Sequence, residues 1–281
     1  MSRWIMVRAE LREAPSDWAP LIEVFREHGI EGTVQEDSPP SLAGYLAENQ
    51  TDEARLNALC DDLVAAGAES IWREAIDEVD WAEAWKQFFK PMRLGRRLVI
   101  RPEWETFEAE ADDIVIVLDP GQAFGTGDHP TTRMCLELLD ALDLHGLDVA
   151  DIGCGSGILA VAACRLGARS VVGVDIDGVA VEASAENAAR NGVSFDVLAG
   201  KGFEPLPSEA TYDLVVSNII SAALIVLAPE ASGRVRPGGR WVVSGVIRNN
   251  WPDVAAAAER AGFQVDDVRE EGDWVAASLI R

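Results

Sequence analysis

The sequence predicts an α/β protein: a doubly wound, mostly parallel sheet with helices on both faces, preceded by a smaller α+β domain. Three observations carry this reading. From about residue 95 onward, short apolar runs of strand character alternate with amphipathic helical ones. A glycine run at 153–157 separates one of those strands from its helix. Before residue 76 the order differs, because two strand-like runs follow one another directly. At 281 residues the chain has room for two domains, each with its own core.

The first domain spans residues 1–75. Residues 3–11 (RWIMVRAEL) have strand character, and residues 16–28 place Trp18, Leu21, Ile22 and Phe25 on one helical stripe that Gly29 ends. Strand-like runs follow at 30–35 and 42–48. A helix from Asp52 turns Leu56, Leu59, Leu63 and Val64 inward and stops at Gly67, and a strand at 69–75 closes the unit. The order β-α-β-β-α-β is that of a split-βαβ, ferredoxin-like sandwich.

Residues 76–94 read as a linker helix and connector. Residues 80–90 (DWAEAWKQFFK) predict a short helix that ends before Pro91, and its Trp81, Trp85, Phe88 and Phe89 suit anchoring between neighbouring domains. The second domain, 95–281, opens with the strands LVIRPEW and IVIVLDP, then a glycine-rich loop and the helix TTRMCLELLDAL. Strand DVADIG, helix GILAVAACRLG, strand SVVGVDI and helix GVAVEASAENAARNG come next. FDVLA, YDLVVSNI, a helix near 221–235, GRWVVSGVI, a helix at 251–261 and two closing strands complete the alternation. In such a sheet the ligand binds beyond the carboxyl ends of the strands, where strand order reverses.

Composition narrows the partners. A formal net charge of -24 at pH 7 repels a phosphate backbone, so direct nucleic-acid binding is disfavoured and a basic partner fits better. Cys60, Cys135, Cys154 and Cys164 form no C-x-x-C pair and no cluster with the three histidines, which argues against a structural metal and for a reducing cytoplasm. Arginine and glutamate interrupt the apolar run at the N-terminus, and no stretch approaches the roughly 20 apolar residues that span a bilayer. The expectation is a soluble, cytoplasmic chain that makes no use of a membrane.

Four segments carry candidate chemistry. DIGCGSG at 151–157 places Gly153, Gly155 and Gly157 where the first central strand feeds its helix, so a ligand can approach the backbone beside a helix N-terminus. The spacing is G-x-G-x-G, and Ile158 stands where a dinucleotide fingerprint has its third glycine, which leaves a nicotinamide-binding domain as the alternative. The next strand ends on Asp175, within reach of a ribose, while Asp177 suits capping the following helix. Asn218 closes a buried strand; its amide has both donor and acceptor and can orient an amine without adding charge. Upstream, DPGQAFGTGDHPTT at 119–132 combines glycines, hydroxyls and His129, which suits either a base or a structural hydrogen-bond partner.

Together these segments resemble the bacterial family of ribosomal protein L11 methyltransferases. The resemblance runs through DWAEAWKQFFKPMRLGRRLVIRPEWE, DPGQAFGTGDHPTT, DIGCGSGILAVAA, VVGVDID and SNII, in the family's order. It implies a seven-stranded class I methyltransferase sheet in the second domain and substrate recognition by the first. It implies S-adenosylmethionine contacts at Thr132, Gly153, Asp175 and Asn218, with Phe124, Gly125, Thr126 and Gly127 covering the methionine end. Asn218 is expected to orient the nucleophile or cofactor, and His129 to have a supporting catalytic role. The implied substrate is ribosomal protein L11, methylated on lysine side chains and its N-terminal amine, with a different basic protein as the alternative; the oligomeric state stays open, a monomer being favoured.

Overall fold

The computed structural model describes residues 3–13, 15, 18–30, 33–37, 39–48, 51–77, 90–118, 127 and 129–281. The chain divides into two compact units, Met1–Phe88 and Phe89–Arg281. The expected helix at 80–90 and its aromatic residues lie outside the described residues, apart from Lys90. No described helix is long and apolar enough to cross a membrane.

The first unit contains β1 (Arg3–Glu10), α1 (Ala19–Glu27), β2 (Thr33–Asp37), β3 (Pro40–Ala47), α2 (Glu53–Ala65) and β4 (Ser70–Asp77). Its strands lie in the order β2-β3-β1-β4 with every pairing antiparallel, as the β-α-β-β-α-β reading requires. Val7, Leu21, Phe25, Leu42, Leu46, Leu56, Leu59 and Leu63 form its core. The Asp52 carboxylate accepts the Arg55 N–H at 2.8 Å and so fixes the start of α2. Val64 corrects the expected inward stripe: it is 55% exposed. One residue beyond Leu63 turns a helix by about 100°, which carries Val64 off the buried face.

The second unit holds two sheets. β5 (Met92–Leu94), β6 (Leu98–Pro102) and β7 (Ile114–Leu118) form a three-stranded sheet of their own, in which β5 and β6 are antiparallel and β6 and β7 parallel. The apolar runs at 98–104 and 114–120 are therefore not strands of the main sheet, and β5 reaches back into the stretch expected to be linker. The remaining elements are α3 (Pro130–Ala141), β8 (Asp148–Ile152), α4 (Ile158–Arg165), β9 (Ser170–Asp175), α5 (Gly178–Arg190), β10 (Asp196–Ala199) and β11 (Tyr212–Asn218). They continue with α6 (Ser221–Arg234), β12 (Val235–Ile247), α7 (Trp251–Arg260), β13 (Gln264–Glu271) and β14 (Trp274–Ile280).

The main sheet has seven strands in the order β10-β9-β8-β11-β12-β14-β13. All neighbours from β10 to β12 are parallel, whereas β14 runs antiparallel to both β12 and β13. Strand order reverses between β8 and β11, so the crevice expected for a ligand opens at their carboxyl ends. One face packs Leu136, Leu139, Val161 and Leu214 with Leu98 and Ile116 of the small sheet. The other packs Leu224, Trp241, Val254 and Phe263. Both faces of the sheet are thus covered, which explains why its central strands are apolar throughout rather than alternating.

Candidate functional site

At the reversal point the turn after β8 is shaped by its glycines. Gly153 has φ +81°, and a Cβ there would stand 2.3 Å from Ile219 Cγ2, so the position requires glycine on both conformational and steric grounds. The backbone N–H groups of Gly153 and Cys154 both donate to the Val174 carbonyl, at 2.8 and 3.1 Å. Gly155 donates its N–H to Asp175 Oδ2 at 2.9 Å, and Asp175 Oδ1 accepts from the Asp177 N–H at 3.0 Å. The carboxylate at the tip of β9 is thereby held beside the glycine turn. Asp177 takes the capping role, accepting the Val179 N–H at 2.9 Å. Gly157 answers to packing: a Cβ would meet Ser184 Oγ of α5 at 2.1 Å, so its bare Cα lets α4 and α5 approach closely.

Opposite the turn, α3 begins at His129. The imidazole Nδ1 accepts the Thr131 N–H, caps the helix, and lies 2.7 Å from the Thr131 hydroxyl. Its ring meets Trp274 edge-on, with centroids 4.7 Å apart. Burial, together with the positive charge of Arg133, lowers the His129 pKa and favours the neutral ring. Thr132 is fully buried, and its Oγ1 accepts from Asn218 Nδ2 at 3.3 Å.

Two recesses meet at Asn218. Thr132, Gly153, Cys154, Gly155, Ile158 and Leu159 line a narrow cleft beside it. Asn218 also lines a cavity of about 550 Å³, bounded by His129, Ile219, Ile220, Gly245, Ile247 and Trp274 among others. Asn218 Oδ1 is buried and finds no hydrogen-bond partner among the described residues. A buried acceptor left unpaired costs about 1–3 kcal/mol, which a donor on a bound molecule would recover. The bare glycine backbone, the fixed carboxylate and this open acceptor fit a nucleoside with an amino-acid tail.

The structure thus brings Thr132, Gly153, Gly155, Asp175, Asn218 and His129 to one end of the sheet. Gly127 is buried close by, where a Cβ would lie 3.5 Å from Ile158 Cδ1. Phe124, Gly125 and Thr126 lie outside the described residues. Sequence reasoning missed Trp274 and Gly245. Gly245 carried a signal, since glycine inside a strand marks a close approach of backbone; a Cβ there would stand 2.4 Å from the Ile219 carbonyl oxygen.

With this geometry in view, likeness to known proteins decides the family. The family model for ribosomal protein L11 methyltransferase (PrmA) matches residues 18–281. The chain belongs to the ribosomal protein L11 methyltransferase family. It is similar to the ribosomal protein L11 methyltransferase of Pelotomaculum thermopropionicum, 43% identical over 265 residues, which cover 93% of this chain and 83% of that one. Its similarity to the Pseudomonas putida protein of the same name is 49% over 233 residues, covering 83% and 79%. Among solved structures, ribosomal protein L11 methylase from Lactobacillus delbrueckii subsp. bulgaricus superimposes with a TM-score of 0.64 at 34% identity. That match covers 68% of this chain and 98% of the other. The seven-stranded sheet is accordingly the class I methyltransferase sheet that the resemblance implied.

Proposed function

We propose that this family member transfers methyl groups from S-adenosylmethionine to amino groups of ribosomal protein L11, both lysine side chains and the N-terminal amine. The observation that carries the reading is the position of Asn218, with an open buried acceptor, between the glycine-turn cleft and the larger cavity. Cofactor in the cleft and acceptor amine in the cavity then share one carboxamide.

Asp175 would hold the ribose, Gly153 and Gly155 would give backbone access, and Thr132 would keep the Asn218 amide in place. Gly127, Phe124, Gly125 and Thr126 belong to the segment assigned to the methionine end. When bound, the cofactor supplies a methyl group activated on a cationic sulfonium. The chain's own task is to present a neutral amine in line and exclude water. A lysine with a pKa near 10.4 costs about 4.6 kcal/mol to neutralise at pH 7, at about 1.36 kcal/mol per unit. Ile219, Ile220, Ile247 and Trp274 reduce that cost, because an apolar wall disfavours the ammonium form. Asn218 Oδ1 can accept an N–H of the neutral amine and so aim its lone pair. His129 is the titratable side chain among the cavity-lining residues; with Nδ1 accepting the Thr131 N–H, its neutral ring can offer Nε2–H as a donor, and its lowered pKa keeps it uncharged.

Residues 1–75 hold six arginines and no lysine against fifteen Asp and Glu, a surplus suited to steering a lysine-rich partner. We assign substrate recognition to this unit, in a monomeric, cytoplasmic enzyme. Purified protein supplied with methyl-labelled S-adenosylmethionine is expected to label ribosomal protein L11 and leave ribosomal RNA unlabelled. Label on RNA alone would refute the assignment.

A further inference from the structure

Two buried carboxamides near the end of α5 connect segments that are distant in sequence. Asn191, the residue that caps α5, lies against the edge of β7 that β6 does not occupy. Its Oδ1 accepts the Val117 N–H at 2.7 Å, and its Nδ2 donates to the Val117 carbonyl at 2.7 Å. The second hydrogen of Nδ2 goes to the Asn187 carbonyl at 2.8 Å. One side chain thus serves β7 as a neighbouring strand's peptide group would. Asn187, one helical turn earlier, donates from Nδ2 to the Ser156 carbonyl at 2.9 Å, inside the glycine turn. Arg190 in turn donates to Asn187 Oδ1 at 2.8 Å.

A continuous set of hydrogen bonds therefore runs from Ser156, through the last turn of α5, to Val117. Val117 stands one residue before the end of β7. Burial makes these bonds count. Asn191 is 7% exposed and Asn187 2%, so a partner lost here is not replaced by bulk water. We propose that Asn191 is a positioning residue for the cofactor site: it fixes the end of β7 against the last turn of α5 and, through Asn187, holds the glycine turn in place. The inference rests on the reading of the glycine turn as part of the S-adenosylmethionine site.

The test uses the full-length chain and compares Asn191→Ala with Val254→Ala, a deletion in the core beneath α7. S-adenosylhomocysteine affinity is measured by calorimetry well below each melting temperature, alongside KM for S-adenosylmethionine and for ribosomal protein L11. Asn191→Ala is expected to raise the Kd for S-adenosylhomocysteine and the KM for S-adenosylmethionine at least fivefold, with the KM for the protein substrate unchanged. Val254→Ala is expected to lower the melting temperature and leave the Kd alone. Adding Asn187→Ala to Asn191→Ala should cost less than the two separate effects combined, since both act along one connection. Where alanine at 191 unfolds the chain, Asn191→Asp keeps the bond from the Val117 N–H and should shift the Kd in the same direction. A folded Asn191 variant with wild-type affinity would overturn the proposal alone. Wild-type protein that failed to bind S-adenosylhomocysteine would overturn the cofactor reading and the proposal with it.

Discussion

Asp151 and Asp175 lie at the ends of adjacent strands, yet their surroundings give them opposite tasks. Asp175 is held by two backbone N–H groups at the edge of the crevice, where a carboxylate can also accept from ribose hydroxyls. Asp175→Ala should weaken S-adenosylhomocysteine binding by about 1–3 kcal/mol in calorimetric titration, because charge-assisted bonds are lost while β9 stays intact. Unchanged affinity would remove Asp175 from the site. Asp151 is fully buried, with Oδ2 accepting the Ala160 N–H at 3.1 Å and Oδ1 lacking a partner among the described residues. Burial, helped by the nearby Asp175 charge, pushes its pKa up to about 7 from an ordinary 3.8. The native state therefore keeps a proton that the unfolded chain releases. Stability from this group is full below pH 4 and falls as pH rises toward 7, by about 1.4 kcal/mol per unit across that window. Asp151→Asn keeps the acceptor for Ala160 and cannot ionise. Its melting temperature should exceed that of the wild type at pH 8 and converge with it near pH 4; parallel melting curves across that range would contradict the assignment.

The ends of β11, β12 and β14 border the cavity proposed to receive the acceptor amine. Because β14 runs antiparallel to β12, its first residue, Trp274, emerges at the same end of the sheet as Asn218 and Gly245. At Gly245, with φ +81°, the Ile219 backbone passes so close that a Cβ would meet its oxygen, carbonyl carbon and nitrogen. Gly245→Ala therefore forces β12 away from the residue that follows Asn218. We expect a stability loss of about 1–3 kcal/mol in denaturant unfolding, together with a lower kcat/KM for the protein substrate. Wild-type stability and turnover would show that the turn yields without cost. Much of this was legible beforehand. The strand-to-helix glycine turn, Asp175 and Asn218 have local signatures, as does the βαββαβ order of the first unit. The exceptions depend on pairing between distant segments. The apolar runs at 98–102 and 114–118 are as continuously apolar as the main-sheet strands, and nothing local assigns them to a separate sheet. Trp274 reads as an ordinary strand residue until the insertion of β14 between β12 and β13 sets its direction. His129 suited two roles, and its helix-capping geometry emerges only with the start of α3.

The candidate site residues gather at one end of the main sheet, whereas the large acidic surplus is spread through both units. Helices and a small sheet cover the faces of the main sheet, so its carboxyl ends are where a ligand can reach the central strands. Such an arrangement suits a small activated donor and a basic macromolecular acceptor, and it disfavours a polyanion. The proposed acceptor is an amine of ribosomal protein L11, brought to Asn218 through the larger cavity. Mass spectrometry of ribosomal protein L11 from otherwise identical cells with and without this gene tests it most directly. Methyl groups are expected on L11 lysines and its N-terminal amine in cells that carry the gene, and are expected to be absent in cells that lack it or carry Asn218→Ala. An L11 mass and methylation pattern indifferent to the gene would contradict it.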